Sequence, residues 1–354
     1  MKIAITADLH LKTKEKSPER WNTLSDIFEK MLSEDIKTLV IAGDLFNEES
    51  QNYSDFDQFC KNKKIIDNQV RFYIIPGNHD PSIKQQYFTS DNIIVFSKPE
   101  IIKLGEPPAV FLFIPYQATR SMGEAIAGYK ENLPAGSWIL IGHGDYVAGL
   151  RDSNPYEPGI YMPLARNDVQ YYNPAGIILG HIHKKINLGK VYYPGSPCGL
   201  DINETGKRSF LIINTGTLEL AEKSIDTDFI FFNETLISLP ALNEFEYMER
   251  KIKEMIKKWN LNKDEITKAR IRLRIKGYTS DKNRLLEITK KTLEDFNFYN
   301  NEEPDLAEVL IFNDPERIAI VEELIKEIEK MEWDNDIVSK EDILEKGLNI
   351  ILKE

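Results

Sequence analysis

Hydrophobic positions in the first half of the chain switch between two periods. Residues 3–8, 38–44 and 70–76 are short apolar runs that read as buried strands. Between the first two, Trp21, Leu24, Ile27, Phe28 and Met31 recur at helical spacing and predict an amphipathic helix over residues 18–34. A second helix is expected over residues 53–64. Each strand ends in a Gly or Asp cluster, at the edge where α/β sheets place their ligands. Further apolar runs at 93–96, 110–115, 138–142, 176–180 and 191–194 continue the pattern. Beyond Gly206, residues 209–214, 218–223 and 229–236 predict an antiparallel meander. The expected fold class is α/β, with two sheets packed face to face as a sandwich and helices outside.

Residues 236–243 break this rhythm and predict a boundary. Beyond it the pattern is helix (244–259), strand (269–276), helix (281–296), strand (307–312) and helix (315–331). A last helix is expected over 339–352, where Ser339 and Asp342 resemble a capping box. The expected organisation is a first domain at 1–240, a small α+β capping domain at 241–332 and a helical tail at 333–354. In the 269–276 strand, period 2 places Arg270, Arg272, Arg274 and Lys276 on one face and Ile271, Leu273 and Ile275 on the other.

Charge modifies this picture locally. The net charge of −12 argues against a generally basic nucleic-acid binder. Residues 250–291 nevertheless carry +10, whereas 292–354 carry −13 and 1–249 carry −9. A local anion-binding surface and a merely solvated helix face are both compatible with that switch. Two distant cysteines, Cys60 and Cys198, suit reduced thiols better than a disulfide or a metal finger. Met1 leads directly into a strand, so no signal peptide is expected, and no apolar run is long enough to span a bilayer. These features predict a soluble cytoplasmic protein.

The chemistry lies in five clusters at strand ends: Asp8-Leu-His10, Gly43-Asp44, Gly77-Asn78-His79-Asp80, Gly142-His143-Gly144 and Gly180-His181-Ile-His183. Asp44 follows His10 by 34 residues, and Asn78 follows Asp44 by 34, the length of one strand–helix–strand crossover. Such crossovers return each strand end to the same sheet edge, so the clusters converge. All five histidines of the chain fall in this set. Imidazole nitrogen with carboxylate and amide oxygen favours Mn, Fe or Zn over calcium. A carboxylate-bridged cation pair can polarise a phosphoryl oxygen and lower the pKa of a bridging water. Taken singly, each cluster could be a turn, a helix cap or a satisfied core histidine; the conjunction points to phosphoester hydrolysis.

At these residues the chain resembles the calcineurin-like metallophosphoesterase superfamily, over roughly residues 1–235. The resemblance implies that Asp8, His10, Asp44 and His183 hold one metal. It implies that Asp44, as the bridge, holds the second with Asn78, His143 and His181. His79 would approach the scissile phosphate as a catalytic group, and Asp80 would either orient His79 or cap the following turn. Within the superfamily, Asp8-Leu-His-Leu11, Gly43-Asp-Leu-Phe46, Tyr193-Pro-Gly-Ser-Pro197, Asp201-x-Asn-Glu204 and Gly206-Lys-Arg-Ser-Phe210 look like SbcD-type DNA repair exonucleases. That likeness implies a DNA nuclease using two divalent ions, Mn2+ foremost. It also implies a homodimer and an SMC-like ATPase partner of the SbcC type. Arg270, Arg272, Arg274 and Lys276 would then contact the DNA backbone. The alternative reading is a small-molecule or nucleotide metallophosphoesterase, which needs no basic cap.

Overall fold

The structure, a computed structural model, describes residues 1–48, 52–147, 159–240, 243–332 and 340–352. The chain divides into two compact units, Met1–Leu200 with Lys207–Asp228, and Asp201–Gly206 with Phe229–Glu354.

In the first unit β1 (Lys2–Thr6), β2 (Thr38–Ala42), β3 (Arg71–Ile75) and β4 (Ile93–Val95) lie side by side and parallel. The helix Pro18–Ser33 makes the first crossover. Two short helices, Tyr53–Cys60 and Lys63–Asp67, make the second where one was expected, because Asn62 accepts the amide of Lys64 and starts a new helix. The chain then builds a second sheet from β5 (Glu100–Leu104), β6 (Ala109–Phe113) and β7 (Trp138–His143). A ribbon of β8 (Tyr146–Val147) and β9 (Leu164–Ala165) follows, then β10 (Gly176–Gly180), β11 (Ile186–Leu188) and β12 (Val191–Tyr193). β13 (Ser209–Asn214) and β14 (Leu220–Ser224) return antiparallel to the first sheet. The two orders are β14-β13-β1-β2-β3-β4 and β11-β12-β10-β7-β6-β5.

The pleat sorts side chains between layers. Ile3, Ile5, Val40 and Ile75 meet Phe111, Phe113, Ile139, Ile141 and Ile178 between the sheets. Ala4, Leu39, Ile41 and Phe72 face outward to Leu24, Ile27 and Met31 of the first helix and to Phe56. Both faces are therefore covered, as a parallel sheet requires. The fold is the α/β two-sheet sandwich expected of a metallophosphoesterase.

The second unit holds β15 (Ile230–Ser238), β16 (Ala269–Thr279), β17 (Asn297–Phe298) and β18 (Val309–Ile311). Here the structure corrects one expectation. The 229–236 run is not a third strand of the first unit's meander; as β15 it pairs parallel with β16 from Ile230 opposite Ala269 to Ser238 opposite Gly277. A parallel neighbour needs a crossover, and the helix Glu244–Trp259 supplies it, its Trp259 stacked on Phe232 at 4.2 Å. The apolar face of β16 packs Ile271, Leu273 and Ile275 against Met248, Ile252, Met255 and Leu285, as alternation predicts. The helices Pro315–Lys330 and Lys340–Leu352 close a smaller cluster with Leu239 and Tyr278. Ser339 and residues 241–242 of the boundary segment lie outside the described residues. Among the described residues no helix is long and apolar enough to cross a membrane.

Candidate metal centre

The strand ends of the first unit bring the predicted ligands together. Asp8, His10 and His183 present ligand atoms within 4.8 Å of one another; so do Asp8, Asp44 and His143, and also His10, Asp44 and His79. Asp8, His10 and Asp44 each belong to two of these groups, so two carboxylates, Asp8 and Asp44, lie where the groups overlap. Asn78 joins the set through its side-chain oxygen, 2.7 Å from His143 Nε2 and 3.0 Å from His181 Nδ1.

The backbone is bent to make this possible. Asp8, His10, Asp44 and His181 all have left-handed φ, at 54°, 45°, 49° and 98°. Non-glycine residues there are held at a cost, and such strain collects at functional sites. Two glycines are needed for closeness. A Cβ on Gly77 would stand 2.1 Å from Asp44 Oδ1, and one on Gly43, itself at φ 91°, would stand 2.0 Å from His143 Nδ1.

The arrangement calls for cations. His143 Nδ1 donates to the carbonyl of Ala42 at 2.9 Å, so Nε2 is the nitrogen turned to the cluster, a donor while the ring is charged and a lone pair once it is neutral. That nitrogen faces oxygens, Asn78 Oδ1 and, at 3.3 Å, Asp44 Oδ2. His10 Nε2 and His183 Nε2 face each other at 3.0 Å, an approach that requires a proton on one ring or a cation between them. Asp8 Oδ2 and Asp44 Oδ2 are buried with no hydrogen-bond partner. A buried carboxylate oxygen in that condition is costly unless a metal takes it. The donor set fits divalent metal ions.

In the ion-free cluster, burial competes with mutual attraction. Burial pushes the Asp8 carboxyl up to about 6 against the pull of His143 and His183. Burial also opposes charge on His143, but Asp44 and Asp8 outweigh it and raise the imidazole to about 10. For Asp44, burial is outweighed by the imidazoles of His143 and His10, which hold it below the usual carboxylate range. His10 is driven well down, chiefly by burial.

The remaining predicted residues take distinct places. The amide of His79 donates to Asp44 Oδ1 at 2.9 Å, and its half-buried ring meets the ring of His10 edge-on at 4.8 Å. Both oxygens of Asp80 accept backbone amides, Gly77 at 2.7 Å and Phe46 at 2.9 Å, so its carboxylate ties the Gly77 turn to the loop after β2. Burial, reinforced by Asp44, raises that carboxyl to about 7.

Several residues around the centre were given no role there from sequence, although Tyr193 and Arg208 lie in the quoted motifs. The buried guanidinium of Arg20 donates to the carbonyl of His10, and Arg208 donates to that of His183 at 3.2 Å. Tyr193 Oη accepts the amide of Tyr146 at 2.7 Å and donates to the carbonyl of Gly144 at 3.0 Å. Asp145 is buried with Oδ1 3.6 Å from His181 Nε2. Its place two residues after His143 was the available signal.

In the second unit the cations of β16 share a face as alternation predicts, but they have partners. Arg272 makes a two-pronged pair with Glu302 at 2.8 and 2.9 Å and lies over the Tyr299 ring. Arg274 stands 3.5 Å from Asp305, and Lys276 stands 3.6 Å from Glu308. Arg270 donates to the carbonyls of Thr267 and Ala269 and lies over Phe229.

A family model described as calcineurin-like phosphoesterase matches residues 1–185. The chain is similar to the DNA double-strand break repair protein Mre11 of Saccharolobus solfataricus, 24% identical over 392 residues, covering 93% of this chain and 98% of that protein. A solved structure described as a novel archaeal phosphodiesterase is similar at 14% identity with a TM-score of 0.35, covering 63% of this chain and 99% of that one.

Proposed function

The chain belongs to the calcineurin-like phosphoesterase family, and from that premise we propose that it is a two-metal DNA nuclease of the SbcD type. In this reading it processes DNA ends in double-strand break repair, as a homodimer with an SMC-like ATPase of the SbcC type. The observation that carries the reading is the mutually facing set of buried Asp8, His10, Asp44, His143 and His181 with half-buried Asn78 and His183. The choice of DNA is supported by the likeness to a break-repair protein, which extends over 93% of this chain and so includes much of the second unit.

Asp8, His10, Asp44 and His183 would hold one ion, and Asp44, Asn78, His143 and His181 the other; the donors suit Mn, Fe or Zn, and the likeness to SbcD-type nucleases favours Mn2+ among them. When bound, the ions supply Lewis-acid polarisation of the phosphodiester and activation of water. The protein's own residues do the rest. The carbonyl of Ala42 holds His143, and Asp80 ties the turn at Gly77, next to Asn78, to the amide of Phe46. His79, on the half-buried side of the cluster, donates a proton or a hydrogen bond to the departing oxygen. The strand cations Arg270, Arg272, Arg274 and Lys276 would contact phosphates of the bound strand, exchanging Glu302, Asp305 and Glu308 for DNA.

That exchange is also what favours a second reading. Because three of the four cations are already paired within their own unit, a phosphoesterase acting on nucleotides or other small diesters deserves equal testing. The test is a panel of single- and double-stranded DNA, a cyclic nucleotide and a generic phosphodiester, with Mn2+ and Mg2+ compared. The nuclease reading predicts metal-dependent cleavage of DNA. Hydrolysis of the small substrates with intact DNA would overturn it in favour of the second.

A further inference from the structure

His143 and His181 converge on one atom, the side-chain oxygen of Asn78, yet their far nitrogens are anchored differently. His143 Nδ1 is held by the backbone carbonyl of Ala42 at 2.9 Å. His181 presents Nδ1 to Asn78 and turns Nε2 toward Asp145 Oδ1 at 3.6 Å. We infer that Asp145 is the positioning residue of the second cation site, fixing His181 as its Nε2–H tautomer so that the Nδ1 lone pair points at the ion. This rests on the two-cation reading above.

Asp145 is built for the task. Its residue is 1% exposed, and its other carboxylate oxygen accepts the amide of Tyr161 at 2.8 Å. Its own amide donates to the carbonyl of Tyr161, and its carbonyl accepts from Leu164, both at 2.8 Å. One bond to the carboxylate and two to the backbone therefore tie Asp145 to the 161–164 segment. The Tyr161 ring covers His181 with centroids 4.7 Å apart, closing the imidazole's other side. A buried carboxylate aimed at the far nitrogen of a metal-facing imidazole raises its basicity and sets its tautomer. Removal of such a partner typically costs 10–100-fold in metal affinity, as an order of magnitude.

Asp145→Asn is the direct test, because an amide donates as well as accepts and no longer enforces the tautomer. Metal-free wild type, Asp145→Asn, His181→Ala and the double variant are titrated with Mn2+ by calorimetry, with metal-free melting temperatures recorded alongside. Wild type should take two ions. Asp145→Asn should weaken one of them by ~10–100-fold and leave the other unchanged. The double variant should bind no more weakly than His181→Ala alone. Unchanged binding of both ions by Asp145→Asn, equal weakening of both with a lowered melting temperature, or additive losses would each overturn the assignment. Wild type that binds no ions would instead sink the two-cation reading itself. Should Asp145→Asn not fold, histidine 15N spectra of the Zn2+-loaded wild type decide the matter. Protonated Nε2 on His181 supports the assignment, and protonated Nδ1 contradicts it.

Discussion

The two units carry their charges in opposite ways. In the first, Asp8, His10, Asp44 and His181 lie buried on left-handed backbone, with His143 buried beside them. In the second, the cations of β16 are partly exposed and already matched by Glu302, Asp305 and Glu308. Charges that satisfy one another on a surface contribute little and ask for nothing. Charges buried without compensation persist only where something else supplies it. By that criterion the first unit contains the functional centre, and the second offers a surface whose cations become available only by exchange.

The sharpest way to break this contrast is Asp44→Asn, which removes a carboxylate shared by two ligand groups. Hydrolysis should fall by about 10³-fold or more, because bridging charge stabilisation is worth several kcal/mol. Retained activity would show that the cluster is not the centre. Next in size is His79→Ala, predicted to slow hydrolysis by roughly 10²–10⁴-fold while metal stoichiometry stays at the wild-type value. A loss of metal with the activity would instead make His79 a ligand.

Much of this centre was legible along the chain. The 34-residue spacings announced parallel crossovers, and β1, β2 and β3 pair that way. Alternation in the 269–276 strand correctly divided its faces. What stayed hidden depends on contacts between residues far apart in sequence. Counting charge along 250–291 and 292–354 could not reveal that Arg272 and Glu302 meet across the sheet. Arg20 reads as one polar position on an amphipathic helix, and only the fold brings it to the carbonyl of His10. The 229–236 run looked like a meander strand because pairing direction is not written in its own pattern; it is set by the helix that follows. Asp80 left two roles open, and the fold commits both its oxygens to backbone amides.

A smaller effect sharpens the second half of the comparison. Arg272→Glu with Arg274→Glu should lower DNA cleavage by about tenfold and flatten the salt dependence of DNA binding, with a generic diester hydrolysed at the wild-type rate. Stability should change by no more than about 1 kcal/mol, since the pairs are exposed. Equal loss on both substrates would mean that the variant damaged the fold, and no loss on either would leave the stripe structural.

The smallest effect is a pH slope in the metal-free protein. Asp8 and Asp80, raised by burial to about 6 and about 7, bind protons more tightly folded than unfolded. Their contribution is therefore present at low pH and is lost as pH rises through those values. His143, raised to about 10 by Asp44 and Asp8 against burial, extends the loss to higher pH, while His10, lowered by burial, opposes it. The melting temperature in chelator should fall by a few degrees between pH 5 and pH 9, about the span of those values. Added Mn2+ should flatten that slope, because metal displaces the same protons. A rising slope in chelator would contradict the electrostatic picture.

Whether the buried cluster of the first unit is a cation site is tested most directly by counting. Metal-free wild type and an Asp44→Asn, His143→Ala variant are equilibrated with Mn2+, and bound metal is measured per chain. The account predicts two ions in the wild type, and tight binding at neither position in the variant. Fewer than two in the wild type, or unchanged binding in the variant, would contradict it.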